Sequence, residues 1–249
     1  MTATASIFQQ ALGPDFGRLH PQIRRRFSVG LASGEACTGS GTMSRIWHGR
    51  GFVRPFLALG GSRHILVPQA GRDIPFTIEN FPYTDTYGRE TVTFVRTFAF
   101  PRRTRSGRTR SRRTRSRPAS PRRTRRFDAT MVFSRERGCI VDYLGTHQHL
   151  ATDLHLTADD DGALVIRSGE HRFREGPVDV RVPELIGGDA EVRESYDDAA
   201  GLFRIQVTVR NRRFGPLFGY EGTFSAEFSP VRGRDVPTDL RPVREESRA

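Results

Sequence analysis

The sequence predicts a mainly β, α+β fold: a curved antiparallel sheet or open barrel of about eight to ten strands, with short N-terminal helices packed on it. Three observations predict it. Apolar residues recur with period two from about Gly39 onward, the spacing of strands that bury one face. Turn signals, namely Asp160-Asp161-Gly162, Gly187-Gly188-Asp189 and Asp197 through Gly201, separate those runs. Ahead of them lie short stretches with helix-start residues and helical spacing.

Ser6 is placed to cap a first helix carrying Ile7, Phe8 and Leu12, ended by Gly13-Pro14. Asp15 is placed to cap a second turn with Phe16 and Leu19. Pro21 suits the first turn of a third helix, whose Ile23 and Phe27 fall on one face. Helices this short draw stability from docking that face rather than from propensity. Residues 51–60 fit helix or loop equally.

The strands follow. In 91–100, Val92, Phe94, Phe98 and Phe100 share a face, with Arg96 as the odd member. Phe127, Ala129, Met131 and Phe133 alternate with Asp128, Thr130 and Val132. Val178, Val180 and Val182 alternate with Asp179 and Arg181. Phe203, Ile205, Val207 and Val209 form the cleanest alternation, and Phe218, Tyr220, Phe224, Ala226 and Phe228 follow the Gly215-Pro216 turn. Such a sheet must cover its apolar side, either with the N-terminal helices or by curling into a barrel. The stretch 230–249, rich in proline and charge with little to bury, is expected to be disordered. One β-rich domain over 7–229 accounts for the rest.

That domain is interrupted. Arg-Thr-Arg-Ser begins at Arg103, Arg108 and Arg113, and Pro-Arg-Arg-Thr-Arg occurs at both 101–105 and 121–125. Removing 101–120 joins two strand-like runs through a short loop, so this arginine-rich, low-complexity stretch reads as an insertion in a hairpin. Nine of the 40 basic residues lie within it, and the remaining 31 nearly balance 28 acidic residues. The formal charge of +12 therefore belongs to one loop. Every basic residue is arginine, a bias that a GC-rich genome produces by itself.

Cys37 and Cys139 lie far apart, with neither zinc nor redox-dithiol spacing, which fits two unpaired thiols in a reducing compartment. The N-terminus has no basic-then-apolar leader pattern. Arg24-Arg25-Arg26-Phe27 is followed by too short an apolar run for twin-arginine export. No run approaches the ~18 apolar residues of a membrane span. The expectation is a cytoplasmic protein with no membrane partner.

Val-Pro-Glu-Leu-Ile-Gly-Gly (182–188), Glu-Ser-Tyr-Asp (194–197), Phe-Arg-Ile-Gln-Val (203–207) and Phe-Gly-Pro-Leu-Phe-Gly-Tyr-Glu-Gly-Thr-Phe (214–224) resemble a bacterial family of domains of unknown function, number 4166 in that series. Leu19-His20-Pro21 and the glycine-led strand near Gly39 fit the same pattern, which extends over roughly 7–229 and is broken by 101–120. The resemblance implies a domain found alone or joined to dehydrogenase-like modules, and hence a dehydrogenase-like partner. It carries no catalytic residues.

Four features bear on chemistry. Thirteen arginines in 101–126 would neutralise phosphates, giving adventitious, sequence-blind nucleic-acid binding from Arg102 to Arg126. The segment has no aromatic residue for base stacking, and slippage tolerated at a hairpin tip is the favoured explanation. In 145–156, read as a strand, His147, His149, Asp153 and His155 share the face opposite Leu150, Leu154 and Leu156. A His-x-His pair suits two ligands of one metal, but Asp153 would lie about 13 Å from His149, so the expectation is no metal. Arg96 falls on an apolar face, where a buried guanidinium needs a charge partner, and Glu194 is the candidate. Tyr220 places its hydroxyl on the inner face, with Glu221 on the other. No nucleophile elbow, phosphate-cradling loop or spaced carboxylate pair occurs.

The reading these features favour is a non-catalytic binding or accessory module that holds a small, partly apolar ligand in the concavity of the sheet. Arg96, Glu194, Tyr220, His147 and His149 are the candidate ligand-facing residues. Its motive is the 18 phenylalanines on alternating faces. Core packing accounts for most of them, at roughly 1.5–3 kcal/mol per buried ring. The alternatives are a small-metabolite enzyme using His147 and His149 or Tyr220, and nucleic-acid binding through the arginine loop. The residues name no cofactor.

Overall fold

The structure, a computed structural model, describes residues 5–49, 69–101, 122–183, 187–231 and 235–249. Helix α1 (Ile7–Leu12) opens on a capping box. Ser6 Oγ accepts from the Gln9 amide at 3.3 Å, and the Gln9 side chain accepts from the Ser6 amide at 2.8 Å. Ser6 Oγ also donates to the Phe27 carbonyl at 2.8 Å, fastening α1 to the end of α2 (Pro21–Phe27). Between them Gly13–Arg18 winds as a 3₁₀ turn. Asp15, expected as its cap, sits inside that turn and meets Arg18 at 3.5 Å. The fixed φ of Pro14 starts the turn without a side-chain cap.

Twelve strands follow: β1 (Glu35–His48), β2 (Gly71–Asn80), β3 (Pro82–Thr84), β4 (Glu90–Pro101), β5 (Arg122–Ser134), β6 (Cys139–Leu144), β7 (Leu150–Ala158), β8 (Leu164–Glu175), β9 (Val178–Arg181), β10 (Asp189–Asp197), β11 (Leu202–Asn211) and β12 (Gly215–Pro230). All pairings are antiparallel. The order β10-β11-β12-β1-β2-β4-β5-β6-β7-β8 returns to β10, because Leu164–Arg167 of β8 pairs with Glu191–Glu194. The sheet therefore closes into a ten-stranded barrel, with β3 and β9 appended outside the ring. Closure requires the long β1 and β12 to bend. A bulge between Met43 and Arg45 supplies part of the bend, and Gly41 and Gly222 the rest, since a Cβ at either would collide with the carbonyl of Thr223 or Thr42.

The predicted alternation sets inside from outside. Phe94, Phe98, Ile205, Val207, Phe218 and Phe224 bury in one inner core. The helices fill the end of the barrel where β1, β4 and β11 begin. There Phe8 meets Phe94 edge-on at 5.8 Å, and Phe27 joins the core. Pro101 pairs with Arg122 at the opposite end of the β4–β5 hairpin. The arginine repeat beyond that pair lies outside the described residues, as do residues 51–60. Of the flanking arginines, Arg126 bonds Asp128 at 3.0 Å and the Asp239 carbonyl at 2.6 Å.

Two expectations are corrected. Val178 and Val180 alternate as predicted, but β9 lies off the ring and leaves both exposed, at 44% and 51%. The C-terminal segment, expected to be disordered, lies along the outer wall. Val231, Val236 and Leu240 cover outward-facing Ala36, Phe81 and Val95, and Ala249 packs beside Val132, Val141 and Tyr143. Its charges find local partners. Glu246 accepts from Arg244 at 2.5 Å and Arg248 at 2.7 Å, while Tyr83 donates to Glu245 at 3.0 Å. Among the described residues no helix is long and apolar enough to cross a membrane.

Candidate functional site

The inner core does not fill the barrel. A cavity of about 270 Å³ remains inside, walled by residues of β2, β4 to β8 and β10 to β12, with Phe27 of α2 at its deep end. Its wall is mostly apolar, including Phe94, Phe127, Leu154, Ile166 and Ile205. Gly187 and Gly188 line it towards the other end, where β8 leaves β10 and turns to pair with β9.

At the deep end lies a buried ion pair. Ile23, Arg26 and Phe27 share one face of α2, which carries the Arg26 guanidinium into the barrel. Its Nε donates to Glu194 of β10, and its Nη1 donates to Asn80 Oδ1 at 2.8 Å and approaches Cys37 Sγ at 3.3 Å. The guanidinium also lies 5.0 Å over the Phe224 ring. Burial pushes the Cys37 thiol up, against the opposing pull of Arg26. Both cysteines are buried and unpaired.

Higher in the cavity, three polar side chains face apolar surroundings. Arg96 of β4 points inward as its period predicts and is 8% exposed, its guanidinium 4.9 Å over Phe127 and 5.5 Å over Phe94. Glu194 is not its partner. Arg26 has taken that carboxylate, and among the described residues Arg96 Nε has no hydrogen-bond partner. Asp142 of β6, also 8% exposed, leaves Oδ1 unpartnered, and the fully buried Tyr220 of β12 leaves its hydroxyl unpartnered. Burial pushes the Asp142 carboxyl up to about 7, although Arg96 pulls it down. Burial likewise raises the Tyr220 hydroxyl, with Arg96 opposing and Glu194 adding to the rise. Unpaired polar atoms in so dry a setting are costly, on the order of 1–3 kcal/mol each, which a bound polar group would offset.

His171 of β8 lines the cavity with both ring nitrogens engaged. Nδ1 lies 2.9 Å from Thr152 Oγ1, and Nε2 lies 3.2 Å from the Gly188 carbonyl. A carbonyl only accepts, so Nε2 carries a proton, while the Thr152 hydroxyl can donate to Nδ1 of the neutral ring or accept from the charged one. Burial lowers the basicity of the ring, against the Gly188 carbonyl, which favours its charged form.

His147 and His149 do not share this site. Gln148, with φ 52°, breaks the chain direction, so both sit in the loop before β7 rather than on a strand. Their rings stack at 5.7 Å, and His149 meets the outward-lying Glu175 at 2.7 Å. Asp153 sits at a bulge and pairs with Arg137 at 2.5 Å. Among the described residues no group of three or more His, Cys, Asp or Glu side chains is arranged around a common point for a metal ion.

The barrel thus brings together Arg96, Glu194 and Tyr220, and adds Arg26, Asp142 and His171, which the sequence reading passed over. Two of these had a signal. Asp142 shares strand parity with buried Ile140 and half-buried Leu144, and Arg26 falls three residues after Ile23 on the docked helix face.

The family described as "Domain of unknown function (DUF4166)" matches residues 19–118 and 105–224, two stretches that overlap inside the arginine repeat. The chain is also 30% identical over 223 residues to "Uncharacterized protein YndH" of Bacillus subtilis (strain 168), covering 90% of this chain and 98% of that protein. Together with the barrel that spans the matched residues, these similarities place the chain in the DUF4166 family.

Proposed function

We propose that this domain is a non-catalytic binder that holds a small, mostly apolar molecule inside the barrel, its polar end met by Arg96, Asp142 and Tyr220. The observation that carries the reading is the coincidence of an apolar cavity with three buried polar groups that lack partners. A volume of about 270 Å³ sits near the lower end of small-molecule sites, roughly 300–1,000 Å³. Catalysis is the weaker reading. The wall holds one hydroxyl beside an imidazole, Thr152 Oγ1 at 2.9 Å from His171 Nδ1, but Thr152 is buried and the ring's other nitrogen is spent on the Gly188 carbonyl.

Native mass spectrometry tests it on freshly purified protein, alongside titration with uncharged octan-1-ol. The expected result is a co-purified mass lost on denaturation, or saturable octanol binding, and its disappearance in a folded Ile205→Trp variant that fills the space. Neither an adduct nor octanol binding in the wild-type protein would sink the reading.

A further inference from the structure

The charges in the cavity wall point to one class of ligand. Glu194 is satisfied by Arg26, leaving the Arg96 guanidinium as a buried cation whose close companions are aromatic faces. Cation–π contact compensates a desolvated guanidinium only in part, whereas an oxyanion compensates it fully. Tyr220 adds a hydroxyl donor within electrostatic reach of Arg96, and Asp142 adds a carboxyl on the same wall. One guanidinium balances a single negative charge, to which the phenol donates a hydrogen bond. A phosphate dianion would bring a second charge into an apolar space that holds a carboxyl group and no further free cation among the described residues. The apolar remainder of the wall takes an apolar body.

We propose that the ligand is a monocarboxylate with an apolar body, its anionic oxygens bound by Arg96 and Tyr220 and its head also hydrogen-bonded by the carboxylic acid form of Asp142. This inference rests on the binding reading above and names the head group that reading leaves open.

It has a pH signature. The titratable and charged groups that line the cavity with Asp142 are Arg96 from β4, which acts on it directly, Glu194 from β10, His171 from β8 and Tyr220 from β12, with Arg26 from α2 paired to Glu194. The strand neighbours of Asp142 on β5 and β7 are Met131 and Thr152, which do not titrate. Glu194 is paired with Arg26, and burial lowers the basicity of the His171 ring. Asp142 is therefore the group whose state changes. As an acid it donates to the ligand. As a carboxylate it repels the ligand and competes for Arg96. The Asp142 carboxyl ionises at about 7, and an ordinary carboxylic acid ligand is ionised above about 5. Affinity is greatest between these two values and falls on the alkaline side.

Calorimetric titration of the full chain with octanoate, octan-1-ol and octylamine at pH 6 and 8.5 tests this. Octanoate is expected to bind at least tenfold more tightly than the alcohol at pH 6, with the amine weakest, and to lose at least fivefold by pH 8.5. Asp142→Asn should flatten that pH dependence. Arg96→Gln should cost octanoate at least tenfold and octanol much less, a comparison that controls for folding within one variant. Equal affinities for octanoate and octanol in the wild-type protein would overturn the carboxylate inference while leaving the binding reading intact. Absence of binding by all three probes would overturn both.

Discussion

Arg26 and Glu194, 168 residues apart in the chain, form a buried ion pair that joins α2 to β10 beneath the cavity. The pair links the helical plug to the ring at its deep end, where Asn80 and Cys37 also meet the guanidinium. Removing one partner leaves the other charged in a dry interior. Arg26→Met or Glu194→Leu alone should cost about 3–5 kcal/mol, and the double replacement less than either. Urea denaturation of the three variants measures this, and additive losses would contradict it.

Asp142 makes stability depend on pH in a stated direction. Its carboxyl ionises at about 7 in the folded protein and near 3.9 when unfolded. Between those values the folded form holds a proton that the unfolded chain has released, so stability falls as pH rises through that window. Asp142→Asn should remove the fall and be the more stable protein at pH 8.5, by on the order of a few kcal/mol. Urea midpoints at pH 4.5 and 8.5 that run parallel in the two proteins would refute the assignment.

The C-terminal strap makes the opposite prediction at acid pH. Burial alone would raise the Glu246 carboxyl, but hydrogen bonds from Arg248 and Arg244 hold it down at about 2. Its contribution is present above the ordinary glutamate value, near 4.3, and is lost as pH falls towards the depressed one. Deleting 235–249 uncovers Val95, Val132, Val141 and Tyr143, and should cost several kcal/mol at roughly 1.5–3 per side chain. Both effects are read by thermal melting and by binding of an apolar dye.

His147→Ala with His149→Ala should leave cavity binding unchanged, because both rings lie in the loop before β7. A tenfold loss of octanoate affinity in that variant, with its melting temperature preserved, would show that the loop reaches the site.

Deleting 101–120 removes nine arginines and should abolish most retention on immobilised RNA, flattening its salt dependence by about 0.7–0.9 in slope for each phosphate no longer neutralised. Ligand binding in the cavity should survive. Unchanged retention would locate the nucleic-acid contact elsewhere.

Much of the barrel was legible because period-two alternation is a local property. Phe203 to Val209 and Phe218 to Phe228 state their inner face in the residues themselves, and Ser6 states its cap. Closure was not legible, because it depends on Leu164–Arg167 meeting Glu191–Glu194 across a gap that no short window spans. The partner of Arg96 was misjudged for a related reason. Parity placed Glu194 correctly on the inside, but which cation reached it depended on how α2 docks. The C-terminal segment shows the limit of composition. Its few apolar residues suffice because the outer wall already presents matching ones.

The divided pairing of β8 gives the barrel a seam. Its first half is laced to β10 and its second half to β9, and beyond Ser168 the gap is bridged by the hydrogen bond between His171 and the Gly188 carbonyl. Ile166 and Val192, paired across that lacing, are also part of the cavity wall. On the binding function proposed above, parting a few rungs there would connect the interior to solvent and let a ligand exchange without unfolding of the ring.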